Sequence, residues 1–227
     1  FYKPYNSNKK LQIVNNTQGQ VWCLKVIDNT LFCGHNSGTF VVANDSAVKI
    51  SDFPGTWDIK KVSANQNILI QGNYNGLSIL EKANNKWKFR NKIEGFNISS
   101  RFVEFISENE LIINHEYDGI FKLKLNAEFT KVENEIKFKP FGVESSLVTY
   151  NGKILHSSSL GVYQFQKSKN KFEKDSLLSS LLYKKEDPIK GNLIIDNKNN
   201  LWGFSDRNIV FLKYDAISNK PKRIDIP

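Results

Sequence analysis

The feature of this sequence that most constrains its fold is an internal repeat that recurs every 38 to 47 residues. Five segments share one pattern, in which an apolar stretch, a few polar residues, a turn residue and a second apolar stretch follow one another. The turn residues are, in chain order, Gly38, Gly76, Gly119, Gly161 and Asn208, at intervals of 38, 43, 42 and 47 residues. Glycine and asparagine both tolerate the positive φ that a tight hairpin needs. The period fits a propeller blade of four short strands.

Each repeat also supplies an inner strand before this pair and a more polar outer strand after it. The predicted inner strands are Val21–Ile27, Ile59–Val62, Phe102–Ile106, Leu147–Tyr150 and Leu193–Asp196. The predicted outer strands are Val48–Ser51, Lys86–Arg90, Phe129–Val132, Lys171–Lys174 and Arg223–Ile226. Polarity rises outward because the outer edge of a blade faces water and lysine discourages pairing between edges. We therefore predict an all-β propeller of four-stranded antiparallel blades.

The repeat boundaries predict a single propeller over residues 1–227, with a partial blade at 1–18. The blades are expected at approximately 19–55, 56–96, 97–138, 139–183 and 184–227. Residues 1–14 resemble the last two strands of a further repeat, so the chain holds about five and a half blades. It either closes as a small propeller that uses this remnant or belongs to a larger ring, for which seven blades are expected. A cut ring would expose an apolar face on each terminal blade. Residues 176–183 fit either a short helix or a loop.

The net charge of +9 raises the question of nucleic-acid binding. Only four of the 32 basic residues are arginine, whereas base readout and bidentate phosphate contacts favour arginine. The lysines are scattered through turn-like stretches beside asparagines, as in residues 82–92 and 167–174. We therefore predict solvated surface charge and no direct binding of nucleic acid. The start at Phe1 and the lack of methionine are typical of a piece of a longer polypeptide.

Two cysteines, Cys23 and Cys33, flank a predicted hairpin turn at residues 28–30. With a three-residue loop the two side chains would face each other across adjacent strands, and with a two-residue loop they would miss by one place. Two thiols make neither a disulfide framework nor a zinc site. We therefore expect free, buried cysteines.

The fifth repeat carries the most specific motif, Ile194-Ile195-Asp196-Asn197-Lys198-Asn199-Asn200-Leu201-Trp202-Gly203. It resembles the two-component-regulator propeller repeat, in which an apolar pair, Asp and a short turn lead into Gly-Asn-Leu-Trp, Gly-Thr and a closing Gly-Leu. Asp196, Leu201, Trp202 and Gly203 match this pattern, whereas Asn199 replaces a Gly and Asn208-Ile209 replaces the Gly-Leu. The resemblance covers the whole chain as architecture and is specific over one blade.

This resemblance implies a sensor. Propellers of the family form the periplasmic part of membrane-bound regulators of Bacteroidetes, followed by a triple-tyrosine β-domain, a membrane helix and an intracellular output. That output is a histidine kinase or a LuxR-type helix-turn-helix. We therefore expect a periplasmic, ligand-sensing propeller that contacts partner domains of its own polypeptide and is compatible with a homodimer. A protein-interaction scaffold is the alternative.

The candidate ligand site lies on the hairpins between the second and third strands, which open toward the central funnel of a propeller. Its predicted residues are His35, Asn36, Asn73, Tyr74, His115, Glu116, Tyr117, Asp206 and Arg207. Aromatic rings beside amides and carboxylates are typical of carbohydrate sites, because rings stack on sugars while polar tips bind hydroxyls. The three histidines, including His156, fall at one place in their repeats but at different offsets from the glycine. They are therefore expected to be polar turn residues rather than metal ligands.

Catalysis has little support in this sequence. Residues 51–57 resemble a sialidase Asp-box, Ser-x-Asp-x-Gly-x-Thr-Trp, but Asp52 and Trp57 each come one place early. The inner strands offer Glu104 and Asp196 as carboxylates for glycoside hydrolysis, and Asp196 belongs to the turn motif. No Gly-x-Ser-x-Gly or phosphate-binding loop occurs. We predict no catalytic residues and no cofactor. A polysaccharide-acting enzyme is therefore only the third hypothesis, after the sensor and the scaffold.

Overall fold

Five antiparallel sheets of four strands each organise the chain. The structure, a computed structural model, describes residues 1–3, 5–63, 65–115, 117–139, 141–215 and 220–226. In every sheet the four strands lie side by side in sequence order, and we number these sheets blades 1 to 5 along the chain. The prediction of an all-β chain of four-stranded blades is therefore confirmed.

The strand bounds are close to those predicted for the first two blades. Blade 1 contains β1 (Val21–Ile27), β2 (Thr30–His35), β3 (Gly38–Ala43) and β4 (Ser46–Ser51). Blade 2 contains β5 (Asp58–Lys61), β6 (Ile68–Asn73), β7 (Gly76–Ala83) and β8 (Lys86–Lys92).

Blades 3 to 5 include a 3₁₀ turn (Lys167–Lys169) between the last two strands of blade 4 and an α-helix between blades 4 and 5. Blade 3 contains β9 (Phe102–Phe105), β10 (Glu110–His115), β11 (Gly119–Leu125) and β12 (Val132–Phe138). Blade 4 contains β13 (Ser146–Tyr150), β14 (Lys153–Ser158), β15 (Gly161–Gln166) and β16 (Lys171–Lys174). Helix α1 (Ser176–Leu182) and the short strands β17 (Tyr183–Lys184) and β18 (Asp187–Pro188) follow. Blade 5 contains β19 (Lys190–Ile195), β20 (Leu201–Phe204), β21 (Ile209–Asp215) and β22 (Lys220–Ile226).

The turn between β1 and β2 decides how the cysteines are placed. Asp28 and Asn29 both have positive φ, 47° and 59°, as a two-residue type I′ turn requires. This loop sets Cys23 opposite Gly34 and one place away from Cys33, so the two thiols miss each other. Both cysteines are free, as expected, although only Cys33 is fully buried.

The chain divides into two compact units, each with its own core. The first unit is Phe1–Arg101 with Lys124–Asn134, and the second is Phe102–Leu123 with Glu135–Pro227. In the first unit blades 1 and 2 enclose a cluster of Phe32, Ile59, Leu69, Leu80 and Trp87. Each such side chain contributes about 1.5–3 kcal/mol on burial.

The second unit has two apolar clusters. One lies between blade 4 and blade 5 and includes Val148, Leu155, Val162, Leu193, Leu201, Val210 and Leu212, with Leu178 and Leu182 of α1 packed into it. The other lies between blade 3 and blade 4 and contains Ile112, Ile120, Leu147, Ile154, Phe165 and Phe172. Successive residues of β13 and β14 point to opposite faces of the sheet, so neighbours in sequence enter different clusters.

Residues 176–182 are a helix rather than a loop. Asp175 caps it, since its carboxylate accepts a 2.9 Å hydrogen bond from the Leu178 nitrogen. Among the described residues, no helix is long and apolar enough to cross a membrane.

Three local predictions differ from the structure. The outer strand of blade 3 begins at Val132 rather than at Phe129, because Phe129 has a φ of 56° in a turn that the Asn126 side chain holds. Asn208 does not need the positive φ that we expected, since its backbone nitrogen is bonded to Ser205 Oγ at 3.0 Å. The described residues before 21 form only isolated bridges, Tyr2 with Gln12 and Asn15 with Ser46.

Candidate functional site

In blades 1, 3, 4 and 5 one side chain caps the hairpin between the second and third strands. It accepts a hydrogen bond from a backbone N–H two or three residues further along, and the capping residues are His35, His115, Ser158 and Ser205. His35 Nδ1 lies 3.1 Å from the Ser37 nitrogen, and His115 Nδ1 lies 2.9 Å from the Asp118 nitrogen. The two histidines therefore stabilise their own turns by accepting hydrogen bonds from the backbone. No three His, Cys, Asp or Glu side chains of the described residues are grouped to hold a metal ion.

His156 does not lie at the place of the other two histidines, and that prediction was wrong. It is two residues before the capping Ser158, inside β14, and its side chain is 1% exposed. The rings of Phe141, Tyr163 and Phe172 surround it at centroid distances of 5.9, 6.5 and 6.0 Å. Burial in this apolar cage lowers the pKa of His156 to about 4.

Trp22, Trp57 and Tyr74 form a half-buried cluster in the first unit, which we call the aromatic triad. The ring centroids of Trp22 and Trp57 are 4.4 Å apart, and those of Trp57 and Tyr74 are 5.3 Å apart. Trp22 Nε1 donates a 2.8 Å hydrogen bond to Tyr74 Oη. Because these polar groups are bonded to each other, the triad offers mainly ring surface to a ligand.

The segment that follows blade 2 in the chain fixes the orientation of Trp57. The indole Nε1 donates a 3.0 Å hydrogen bond to Ser99 Oγ. The Arg101 guanidinium lies 5.4 Å from the centroid of the Trp57 ring, which is a cation–π distance. Trp57 is thus held at its edge and on one face.

A fully buried polar network lies directly behind the triad. Its members are Thr39, Thr56, Gln71, Asn73 and Ser78, and each is 0% exposed. The Thr39 and Thr56 hydroxyls are 2.8 Å apart, and Asn73 Nδ2 donates to Thr56 Oγ1 at 3.1 Å. Gln71 Nε2 donates to Thr39 Oγ1, and Ser78 Oγ donates to Asn73 Oδ1 at 2.7 Å. Two members directly precede Trp57 and Tyr74 in sequence, so this satisfied network positions both rings.

Gly55 is needed beneath the Tyr74 ring. Its φ is 73°, and a Cβ at this position would lie 2.0 Å from Tyr74 Cγ. Gly152 provides a matched comparison, since its φ is 71° and a Cβ there would have no neighbour within 4 Å. The two glycines have nearly the same φ, and only at Gly55 would a Cβ collide with a neighbour.

We expect Gly55→Ala to lower the free energy of unfolding by about 1–3 kcal/mol more than Gly152→Ala, because only the first displaces a packed ring. Urea denaturation of both variants measures this difference. Near-ultraviolet circular dichroism should also change for Gly55→Ala alone, as the triad loses its fixed geometry. Equal stability losses would show that Tyr74 is not held against Gly55.

The structure gives the predicted residues of the first unit different roles. His35 caps a turn, and Asn36 Oδ1 accepts a 3.3 Å hydrogen bond from the Gln20 nitrogen. Asn73 is fully buried in the polar network. Tyr74 alone among these four belongs to the aromatic triad.

Sequence reasoning missed Trp22 and Trp57 as site residues. The signal was present, since each tryptophan closely follows a glycine, in Gly19-Gln20-Val21-Trp22 and in Gly55-Thr56-Trp57. Both tryptophans mark the entry to the first strand of a blade, which the search along the hairpin turns did not cover.

In the second unit the predicted residues lie on two hairpins. Tyr117 is 81% exposed, and its ring centroid is 6.0 Å from that of His115. Glu116 lies outside the described residues. Asp206 pairs with Lys190 at 2.7 Å, and Arg207 is exposed beside it.

Asp187 holds the hairpin that carries Asp206 and Arg207. Its Oδ2 accepts hydrogen bonds from Ser205 Oγ at 2.7 Å and from Asn208 Nδ2 at 2.9 Å. These two bonds, followed by the charge of Arg223, lower the pKa of Asp187. Asp187 is thus a positioning residue for this turn.

The two carboxylates weighed for glycoside hydrolysis both have structural bonds. Glu104 Oε2 accepts a 2.8 Å hydrogen bond from Thr149 Oγ1. Asp196 accepts hydrogen bonds from Asn200 and from Trp202 Nε1, the latter at 2.8 Å. Bonds from Asn200, then from Trp202, lower the pKa of Asp196 to about 2. The motif of the fifth repeat therefore builds a turn, and its Trp202 ring stacks on Phe211 at 4.6 Å.

Comparisons with known proteins give matches in structure only. No protein-family model matches the chain, and no curated protein matches it. The extracellular domain of BT3049 from B. thetaiotaomicron, described as a hybrid two-component system, matches with a TM-score of 0.65 and 18% identity. That match covers all of this chain and 31% of the BT3049 chain.

Propellers of other kinds match as well. The WD40 β-propeller domain of Doa1 matches with a TM-score of 0.55 and 17% identity over 86% of this chain and 63% of that one. Virginiamycin B lyase from Staphylococcus aureus matches with a TM-score of 0.58 and 10% identity over 96% of this chain and 73% of that one. At such identities the likeness shows the fold alone. In the part of the chain that the structure describes, the fold is that of a β-propeller with five four-stranded blades.

Proposed function

We propose that this chain is the ligand-sensing, extracytoplasmic propeller of a membrane-bound transcriptional regulator or hybrid two-component sensor. The aromatic triad carries the proposal, because a buried network and Gly55 hold three half-exposed rings in one arrangement. The likeness to an extracellular domain of a hybrid two-component system supports it. So does the turn built by Asp196 and Trp202, which the sensor family's repeat motif prescribes.

The ligand that the triad favours is a carbohydrate or another small polar molecule. Trp22 and Trp57 offer flat apolar surface, on which the C–H face of a sugar ring can stack. A site built before a ligand arrives loses little entropy in ordering side chains. Pre-organised aromatic surface is therefore what a selective sugar sensor needs.

Sensing further requires that the ligand distinguish two states of the protein. A ligand shifts an equilibrium only by the difference in its affinities for the two states. Trp57 contacts Ser99 and Arg101 in the segment that follows blade 2, while Trp22 belongs to blade 1. A ligand on the triad would thus bias how blades 1 and 2 pack, and partner domains or a homodimer would transmit that change in the periplasm.

Thermal shift against a panel of glycans tests the proposal. We expect at least one glycan to raise the melting temperature, and we expect Trp57→Leu and Tyr74→Ala to remove that shift while Trp202→Phe retains it. Tyr74→Phe keeps the ring and provides a milder variant in case Tyr74→Ala does not fold. Tyr117→Ala tests the second-unit turn separately. A shift that survives both triad substitutions would contradict a site at the triad.

A protein-interaction scaffold is the second candidate, and the likeness to a WD40 domain favours it. It predicts that no glycan shifts the melting temperature, and that Tyr117→Ala weakens capture of a protein partner while Trp57→Leu does not. Turnover of a glycan by the purified chain would instead favour a polysaccharide-acting enzyme.

A further inference from the structure

A cleft in the second unit lies where blade 4, helix α1 and blade 5 meet. Its volume is about 410 Å³, which is within the range of small-molecule sites. The apolar part of its lining consists of Leu177 and Leu178 from α1 and of Tyr214 and Pro221 from β21 and β22. All of its lining residues belong to the second unit, so the cleft shares no residue with the aromatic triad.

Two side chains of opposite charge, Lys153 and Asp175, also line the cleft. Lys153 is exposed and has no ion-pair partner among the residues that the structure describes. One oxygen of Asp175, Oδ1, accepts the capping bond from the Leu178 nitrogen, which leaves Oδ2 for another donor. An ammonium group and a carboxylate on one cleft suit a ligand that carries both charges itself.

Tyr150 lines the same cleft and carries a hydroxyl without a partner. Its side chain is 3% exposed, and its Oη has no hydrogen bond with any described residue. Burial raises the pKa of Tyr150, and the neighbouring Asn151 side chain offsets this only in part. A buried hydroxyl without a partner lowers the stability of a fold, and a ligand in the cleft can supply the missing bond.

The repeat itself does not require this hydroxyl. At the same place, just before the turn into the second strand, blades 1, 2 and 3 have Ile27, Val62 and Ile106. The Tyr150 ring packs in the apolar cluster between blades 4 and 5, where a phenylalanine ring would pack equally well. The hydroxyl is thus the part of this side chain that the packing of the fold does not explain.

We propose that this cleft binds a free amino acid with an apolar side chain. The Lys153 ammonium pairs with the carboxylate of the ligand, to which Tyr150 Oη donates a hydrogen bond, and Asp175 Oδ2 accepts a bond from the ligand's ammonium group. The apolar lining from α1 and blade 5 contacts the side chain of the ligand. Such a ligand contacts three elements at once, so it stabilises the position of α1 between the two blades.

Isothermal titration calorimetry with L-phenylalanine and L-leucine tests this proposal. We expect both to bind, whereas phenylpropionate and phenethylamine, which each lack one charge, should bind at least about tenfold more weakly. Amide hydrogen exchange in residues 176–182 should slow when L-phenylalanine is added. No heat of binding and no change in exchange at about 10 mM of either amino acid would overturn the proposal. Equal affinity for the two analogues would exclude a ligand that carries both charges.

Substitutions of the two charged residues locate the site. Lys153→Met and Asp175→Asn should each weaken the binding of L-phenylalanine by at least about tenfold, and Asn at position 175 can still cap the helix. Lys198→Met, on an exposed turn of blade 5, is the matched control and should bind as the natural chain does. Equal affinity of all three variants for L-phenylalanine would contradict a site in this cleft.

Tyr150→Phe separates binding from folding. It should weaken binding roughly threefold to tenfold without lowering the melting temperature of the ligand-free chain, because the hydroxyl has no partner there. A lower melting temperature would show that the hydroxyl is bonded within the folded chain and would overturn its role in binding. Trp57→Leu should leave amino-acid binding unchanged, so the outcome does not depend on the ligand at the aromatic triad.

Discussion

Replacing Arg223 with Met should lower the free energy of unfolding by about 3–5 kcal/mol, because it removes the cation from a buried ion pair. The Arg223 side chain is 3% exposed, and its Nη2 lies 3.2 Å from Asp187 Oδ2. Its Nη1 donates to the Leu181 and Leu182 carbonyl oxygens at 3.1 and 3.2 Å. Those oxygens belong to the last turn of α1, where backbone acceptors have no partner within the helix.

The substitution should also destabilise the turn that carries Asp206. Asp187 also accepts the hydrogen bonds that hold that hairpin, so an unpaired Asp187 carboxylate would take water and release the turn. Amide hydrogen exchange of Arg223→Met should therefore quicken in residues 205–208 as well as in α1. Faster amide exchange in the hairpin with unchanged exchange in α1 would indicate that the bonds from Arg223 to the Leu181 and Leu182 carbonyl oxygens contribute little.

Urea denaturation of Arg223→Met beside Lys184→Met measures the effect. Lys184 contacts Asp225 at 3.4 Å, and both side chains are exposed, so this control should lose no more than about 1 kcal/mol. Equal losses in the two variants would mean that Arg223 acts as an ordinary surface charge. A Met side chain retains most of the apolar length, which separates loss of charge from loss of packing.

The fold could be predicted from the sequence because the repeat is local. Each hairpin is specified by residues close in sequence, such as Asp28 and Asn29, whose positive φ values select a type I′ turn. Strand alternation then decides which residues are buried. The prediction was wrong at Phe129, where a short side-chain network around Asn126 overrides the apolar pattern.

The candidate site was harder to predict because it depends on contacts between distant residues. Trp22 and Tyr74 are 52 positions apart, and their hydrogen bond follows from how two blades stack. Asn73 is of a residue type that often binds ligands, but its side chain is hydrogen-bonded within a buried network. Polarity in the sequence does not separate these two uses, whereas burial in the structure does.

The pKa of His156 was likewise not predictable from the sequence, because it too depends on residues distant in the chain. The sequence places a histidine near a turn, and nothing within its own hairpin reveals the aromatic cage of Phe141 and Phe172. Its Nδ1 has no hydrogen-bond partner among the described residues. Burial without a partner disfavours the charged ring, which is why the pKa of His156 falls to about 4.

The chain should therefore lose about 3 kcal/mol of stability through His156 as the pH falls from 6.5 to 4. Between these values the unfolded chain binds a proton at this ring and the folded chain does not, so stability rises with pH. The contribution is fully present above pH 6.5, the ordinary pKa of histidine, and is lost as the pH approaches the folded value of about 4.

Urea denaturation at intervals from pH 7.5 to 4 checks this, with His156→Leu as the comparison. Leucine fills the apolar cage without titrating, so the variant should lose less stability than the natural chain over the same interval. The difference between the two curves isolates His156, because carboxylates such as Asp187 and Asp225 titrate in both proteins. Parallel curves would mean that His156 takes up its proton in the folded chain near its ordinary pKa, and the cage would then have to open readily to water.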